Sequence, residues 1–342
     1  VVPPEKMFDT YLYLSSTSEL FRNHFIDFAH KLKKDLNLDK NSTLVDIGSN
    51  DGIFIEPIQE LGITSIGVEP AKNVAKIANS NGLKTFTEYF SDKTVNKITK
   101  QYGKADVVTA FNVFAHSDGL RDILDNVKKL LKKDGEFIFE IQYLLRTIKD
   151  LTFDNIYHEH VNYWCLLSIL HFFKDSEMKV YKVEEVDTHG GSLRVYATMN
   201  KNKRAHKSLK EYIELEKKNK LDKIETYYKF ANDVEKIKLS SLKKIEEINF
   251  NNKKIIGYGA PAKATTVLNY FGINSDYLDF TIDDNKLKQE KFIPGTGIQI
   301  KNINQVDKES YDYVLVLAWN FYNSIKLNNQ KNFPNSKFIK LR

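Results

Sequence analysis

DIGSNDG, residues 46–52, joins the apolar run STLV to the helical pattern IFIEPIQELG. A short buried strand that turns on glycine into a helix offers backbone amides to a polar or anionic ligand. Gly48 and Gly52 let that ligand approach the chain closely. Glu69 ends the next strand pattern, SIGVEP, about 20 residues beyond the turn, where a carboxylate can accept both hydroxyls of a ribose. The arrangement serves a nicotinamide dinucleotide or S-adenosylmethionine, and the spacing separates them. A Gly-x-Gly-x-x-Gly fingerprint begun at Gly48 needs glycine at positions 50 and 53, where the chain has Asn50 and Ile53. An acid followed by a looser glycine turn, here Asp46, Gly48 and Gly52 with Asn50 between, suits S-adenosylmethionine. Asn112 and His116, at the end of the strand pattern ADVVTAFN, are expected to face the same cofactor. A plain strand–helix corner is the bland alternative for the turn, and a helix-start histidine is the bland alternative for His116.

Outward from this turn, strand and helix patterns alternate. AKNVAKIANSNG is a helix; LKTFTEYF, ADVVTAFNVFAH and EFIFEIQY are strands, with LRDILDNVKKLLKKDG a helix between the last two. Such alternation predicts a parallel sheet covered on both faces. Upstream, Ser18 and Glu19 start a helix whose stripe is Leu20, Phe21, Phe25, Phe28 and Leu32. Downstream, LLSILHFFKDSE is a helix, and MKVYKVEEVDTHGGSLRVYATM is a strand pair forming an antiparallel edge. Residues 201–250 read as a lysine- and glutamate-rich helical connector. KKIIGYGAPAKATTVLNYFGI, LDFTIDDN and YDYVLVLAWN then repeat the strand–turn–helix scheme. The expected fold is α/β: a Rossmann-like cofactor domain at 1–200, the connector at 201–250, and a second Rossmann-like domain at 251–342.

A chain of 342 residues, 42% hydrophobic and 28% charged, is large enough for two globular cores. The net charge of +6 comes from lysines spread along helices, which argues against a nucleic-acid groove and suits an anionic small substrate. Cys165 is the single cysteine, which fits a reducing cytoplasm. No apolar run has the length of a membrane span, and no secretory leader is visible. The opening VVPPEKMF, without an initiator methionine, suggests part of a longer protein.

Three other stretches carry candidate chemistry. In IIGYGAPAKA, residues 255–264, Gly257 and Gly259 are placed to face a phosphate, with Lys263 in the first helical turn; tight packing alone is the alternative. In HGGSLRVY, residues 189–196, Arg194 has the geometry to pair with a pyrophosphate, or is a surface arginine of an ordinary hairpin. YHEHVNYW, residues 157–164, puts two histidines one residue apart beside a carboxylate. As a strand it would show Tyr157, Glu159, Val161 and Tyr163 on one side. It is an acid–base cluster, a metal site with Asp154 as third ligand, or a group of polar side chains satisfying each other.

Four stretches, YLYLSSTSELFRNHF, VDIGSNDGIFIEP with GVEPA, NVFAHSDGL followed by FDNIYHEHVNYW, and GYGAPAKATTVLNYFGI, span nearly the whole chain in this order. Together they resemble the S-adenosylmethionine-dependent C-methyltransferases that act on nucleotide-linked keto-deoxysugars. The resemblance implies a small zinc-binding domain upstream of VVPPEKMF, outside these residues; within them no metal is expected, since methyl transfer from a sulfonium needs none and no other acid or histidine pair has ligand spacing. It implies His160 as the base, with Tyr157 and Glu159 in support and Tyr11 reaching in from the N-terminal stretch; Tyr13 is the fallback. His158 is expected to touch substrate. Methylation at carbon needs a nucleophilic carbon, which a neighbouring ketone supplies through an enolate, and an imidazole is suited to remove the proton. The expected reaction is methyl transfer to C3 beside a 4-keto group, in a cleft between the domains. The rivals are an NAD-dependent sugar-nucleotide oxidoreductase, a non-catalytic nucleotide-sugar binding protein and an O-methyltransferase.

Overall fold

The computed structural model describes residues 7–8, 11, 14–17, 19–188 and 190–341. They fall into two compact units, Val1–Arg146 with His158–Asp222 and Thr147–Tyr157 with Lys223–Arg342.

The first unit opens with helix α1 (Glu19–Leu36), whose Phe25, Phe28 and Leu32 bury one stripe against Leu44, Phe54, Ile58 and Ile138. The Leu20 side chain lies outside the described residues. Then β1 (Thr43–Ile47), α2 (Ile55–Glu60), β2 (Thr64–Val68), α3 (Lys72–Ser80), β3 (Thr85–Phe86), α4 (Asp92–Tyr102), β4 (Ala105–Phe111), α5 (Leu120–Leu130) and β5 (Leu131–Gln142) alternate. After α6 (Leu144–Lys149) and α7 (Leu166–Phe173) come β6 (Lys179–Val186), β7 (Ser192–Thr198) and α8 (Lys207–Lys218). Among the described residues the sheet has seven strands in the order β3-β2-β1-β4-β5-β7-β6. The first five run parallel, and β7 is antiparallel to both β5 and β6. All five residues of β1 are buried, as expected of a central strand covered on both faces.

Three expectations for this unit are revised. LKTFTEYF supplies only two strand residues, Thr85 and Phe86, which pair with Gly67 and Val68 where β2 ends; the Asn79 side chain takes the carbonyl (3.0 Å) and the amide (3.1 Å) of Thr85 at the sheet edge. Helix α4 was not anticipated: Val95 and Ile98 make a thin stripe, although Ser91 caps its start and Gly103, at φ 80°, ends it. The octet 157–164 is not a strand; a single bridge, Tyr143 to Trp164, is its ladder contact among the described residues.

The second unit contains α9 (Ile224–Phe250), β8 (Ile255–Tyr258), α10 (Ala262–Phe271), β9 (Phe280–Ile282), β10 (Gln299–Lys301), β11 (Tyr313–Val316), α11 (Tyr322–Asn329) and β12 (Lys337–Ile339). Its five described strands are all parallel, in the order β10-β9-β8-β11-β12. Phe153, from the segment inserted between parts of the first unit, stacks on Phe271 at 5.5 Å within this core. The stretch 201–250 is therefore divided rather than a free connector. Helix α8 groups with the first unit, where fully buried Glu216 accepts from the amides of Leu166 (2.6 Å) and Leu167 (2.9 Å) at the start of α7. Helix α9 instead gives Val234, Ile245 and Ile248 to the second core. Among the described residues no helix is long and apolar enough to cross a membrane.

Candidate active site

The first glycine turn follows β1. Gly48 (φ 68°), Asn50 (φ 49°) and Gly52 (φ 91°) all take the left-handed region, which asparagine tolerates better than most side chains. The Gly48 amide donates to the Val68 carbonyl at 2.8 Å, fastening the turn to β2. Glu69 accepts from the amides of Asn50 (2.9 Å) and Ala71 (2.8 Å), and burial pushes its carboxyl up in pKa despite those bonds. Behind the turn, buried Asp46 accepts from Thr109 Oγ1 at 2.6 Å. Burial outweighs that bond and, with the nearby Glu69 and Glu140 charges, pushes Asp46 up to about 7.

One feature of this turn fits an adenosyl cofactor, whereas Gly48, whose added Cβ would stand 2.7 Å from Val113 Cγ2, is explained by packing. Ser49 Oγ and Asp51 Oδ1 are buried without a hydrogen-bond partner among the described residues, which leaves polar atoms for a ligand. The Asn50 side-chain oxygen accepts from the Ser15 amide at 3.1 Å.

The octet is latched onto the loop after β4. The amides of Val161 (2.8 Å) and Asn162 (3.2 Å) donate to the Ala115 carbonyl, and Asn162 Nδ2 donates to Ser117 O at 2.6 Å. The Trp164 indole N–H reaches Phe114 O at 3.4 Å. This latch sets the His160 ring edge-on to His116, 5.0 Å between centroids, while His116 meets Phe8 at 6.0 Å. Asn112, with φ 58°, begins that loop and donates its amide to Glu140 O at 2.9 Å. Tyr11 hydrogen-bonds Glu159, whose carboxyl burial pushes up in pKa against that bond and the His158 charge. His158 Nε2 lies 3.9 Å from Glu159 Oε1 and is largely exposed. The structure thus brings His160 to His116 in the loop after β4 and Tyr11 to Glu159. Tyr157 is half-buried and ends the segment that groups with the second unit. Tyr13 lies outside the described residues.

Arg194 requires a correction. Its guanidinium is buried, bonds Glu140 Oε1 through Nε (2.6 Å) and Glu184 Oε1 through NH1 (2.9 Å), and lies 3.6 Å from the centroid of Phe28. Burial alone would raise Glu184, but Lys31, Tyr196 and Arg194 together hold it at about 2. This arginine is spent on internal carboxylates and has no face for a pyrophosphate.

In the second unit, the Gly259 amide donates to Ile282 O (2.6 Å) and the Ala260 amide to Asp283 Oδ2 (2.7 Å). A Cβ on Gly257 would meet Thr281 Oγ1 at 2.7 Å, and one on Gly259 would meet Ala318 Cβ at 2.8 Å, so both glycines answer a packing need. Lys263 Nζ is 5.9 Å from the Trp319 ring centroid. Asp154, considered above as a third metal ligand, instead accepts from the Trp319 indole at 2.5 Å.

Sequence reasoning missed the groups that bind these pieces together: Ser15, Ser16, Asp51, Asn73, Asn162 and Trp164. Asn162 and Ser117 stand 45 residues apart, and no local period links them.

Known proteins resemble the chain over most of its length. A family profile described as a methyltransferase domain matches residues 19–183, and one described as a C-methyltransferase C-terminal domain matches residues 187–340. The chain is 30% identical over 334 residues to the C-methyltransferase NovU of Streptomyces niveus, covering 97% of this chain and 79% of that one. A ubiquinone biosynthesis O-methyltransferase of Pelagibacter ubique is 27% identical over 36% of this chain and 51% of its own length. Among solved structures, the PH0226 protein of Pyrococcus horikoshii aligns with 57% of this chain and 97% of its own, at TM-score 0.44 and 15% identity. Magnesium protoporphyrin IX methyltransferase of Synechocystis with bound SAH covers 52% of this chain and 81% of its own, at TM-score 0.40 and 14% identity. The chain belongs to the C-methyltransferase family, and it is an S-adenosylmethionine-dependent methyltransferase.

Proposed function

We propose that this cytoplasmic enzyme methylates C3 of a nucleotide-linked deoxysugar, beside a 4-keto group. The observations that support this reading are the His160 ring edge-on to His116 in the loop after β4 and the Tyr11 phenol bonded to Glu159, the residue before His160. That set suits proton removal next to a carbonyl. His160 takes the C3 proton, and the resulting enolate carbon is the nucleophile. The Tyr11 phenol exchanges Glu159 for the developing enolate oxygen and stabilises it. Tyr157 and Glu159 support the base and the phenol, and His158 contacts the substrate. Asp46, Gly48, Gly52, Glu69, Asn112 and His116 hold the cofactor. When bound, S-adenosylmethionine supplies an electrophilic methyl group. The second unit receives the nucleotide through Lys263, in the helical turn that follows the packed glycines Gly257 and Gly259.

The test is isotopic. With S-adenosylhomocysteine and a nucleotide-linked 4-keto-deoxysugar in D2O, the wild type is expected to exchange the C3 hydrogen. His160→Asn should slow that exchange by about 10²-fold or more. Undiminished exchange and methyl transfer in the variant would remove His160 from the mechanism. Methylation of the 4-hydroxy analogue would replace the C-methylation chemistry with O-methylation.

A further inference from the structure

The segment that carries Tyr11 is tied to the cofactor turn through its backbone. The Ser15 amide donates to Asn50 Oδ1 (3.1 Å) and the Ser16 amide to Asp51 Oδ2 (3.2 Å). Tyr11 itself is bracketed by Asn73, which accepts from its amide at 3.0 Å and donates to its carbonyl at 2.6 Å. Arg22 closes the strap from the other side, donating to Ser16 O at 2.7 Å and standing 3.8 Å from Glu56. The acceptors for residues 15 and 16 are both in the turn between β1 and α2, and Asn73 is in the first turn of α3. Asn50 also gives its own amide to Glu69, so one residue joins the ribose-side acid to the strap.

We propose that Asn50 and Asp51 are positioning residues: through the amides of Ser15 and Ser16 they hold the strap that sets the Tyr11 phenol on Glu159. This rests on the role given to Tyr11 above. The side chains answer the backbone of the strap rather than its side chains.

Asn50 allows a clean test, because at φ 49° glycine keeps the turn while removing the acceptor. Asn50→Gly is expected to speed hydrogen exchange at the Ser15 amide by about tenfold, the worth of one such bond. It should lower kcat by about tenfold and leave S-adenosylhomocysteine affinity within about threefold, which also certifies the fold. Asp51→Ala should speed exchange at the Ser16 amide alike, a readout taken without cofactor because Asp51 Oδ1 is also offered to the cofactor, and Asp51→Asn, which keeps an acceptor oxygen, should restore the slow exchange. On a Tyr11→Phe background, Asn50→Gly should cost less than about twofold, since its effect runs through that phenol. Unchanged exchange at Ser15, or an equal kcat loss with and without the phenol, overturns the proposal. The exchange measurement needs no sugar substrate, so it separates failure of the strap from failure of the methyltransfer reading.

Discussion

Replacing Asp46 with asparagine should make the protein more stable in alkali and leave it unchanged in acid. In the fold, burial holds this carboxyl's titration at about 7, whereas an aspartate in the unfolded chain titrates near 3.8. Between those values the folded state keeps a proton that the unfolded state has lost. Stability therefore falls as pH rises from about 4 to about 7 and levels off above. Each pH unit between the two values costs about 1.4 kcal/mol, so the full penalty above pH 8 is about 4 kcal/mol. Asparagine cannot ionise, and its side-chain oxygen can still accept from Thr109 Oγ1, so the variant escapes the penalty while keeping the bond. Guanidinium unfolding of both proteins at pH 4.5, 6, 7 and 8.5, without cofactor, gives the comparison. The stability gap should open in favour of Asp46→Asn as pH rises and be nearly closed at the lowest pH. Parallel curves, with a gap that moves by less than about 1 kcal/mol, would refute the claim that a buried ionising carboxyl sits behind the turn. Proposed as a cofactor ligand, Asp46 should also release a proton when S-adenosylmethionine binds near neutrality. Calorimetry in buffers of different ionisation enthalpy reads that release.

Removing Arg194 as Arg194→Met leaves buried Glu140 and half-buried Glu184 without their shared cation. The expected loss is about 3–5 kcal/mol, read as a lower melting temperature, with no selective rise in KM for the nucleotide sugar. Gly48→Ala meets both a positive φ and Val113 at 2.7 Å, and calorimetry should find S-adenosylhomocysteine bound at least about tenfold more weakly. Glu216→Gln keeps one acceptor for two α7 amides and should cost about 1–3 kcal/mol in chemical unfolding. Burial and the Glu216 charge both push the Cys165 thiol up, so iodoacetamide should label the native chain slowly at pH 8 and the urea-unfolded chain fast.

What could be seen in the sequence was local. Strand β1, its turn and α2 announce themselves in ten or so residues because burial on both faces leaves an unbroken apolar run and the left-handed positions call for glycine or asparagine. The antiparallel edge was equally plain, two alternating stretches about a glycine pair. The three-residue strands β10 and β12 were not, since so few residues carry no period. Helix α4 hid for a similar reason: two buried aliphatic side chains on an otherwise lysine-rich surface barely mark a face. In the octet, the histidines and Glu159 stood out by composition, but the latch that holds it to the loop after β4 depends on the carbonyl of Ala115, a residue with no chemistry of its own. Arg194 misled because a hairpin arginine beside two glycines has the same local look whether it faces solvent or, as here, the buried carboxylate of Glu140. Only strand pairing distinguishes the two, and β5 places Glu140 directly opposite Arg194.

The acid at the end of the second strand shows how far such signals reach. In both units a glycine turn after the first strand is pinned by the next strand: Gly48 and Gly259 donate to the carbonyls of Val68 and Ile282. In both, the following acid takes an amide from the turn, Glu69 from Asn50 and Asp283 from Ala260. Each acid then satisfies a second amide just beyond itself, Ala71 for Glu69 and Asn285 for Asp283. The first duty of this carboxylate is thus to the protein: it neutralises two amides where a parallel strand gives way to a loop. A ribose can use only the lone pairs that remain. A glycine turn with an acid on the neighbouring strand is therefore evidence for the corner itself, and the ligand must be argued from the residues around it. In the first unit those residues include unsatisfied Ser49 and Asp51 oxygens and a histidine pair; in the second, the glycines are already explained by Thr281 and Ala318. The corner is common to both units; the cofactor proposed at the first is argued from its surroundings, and the second closes on packing.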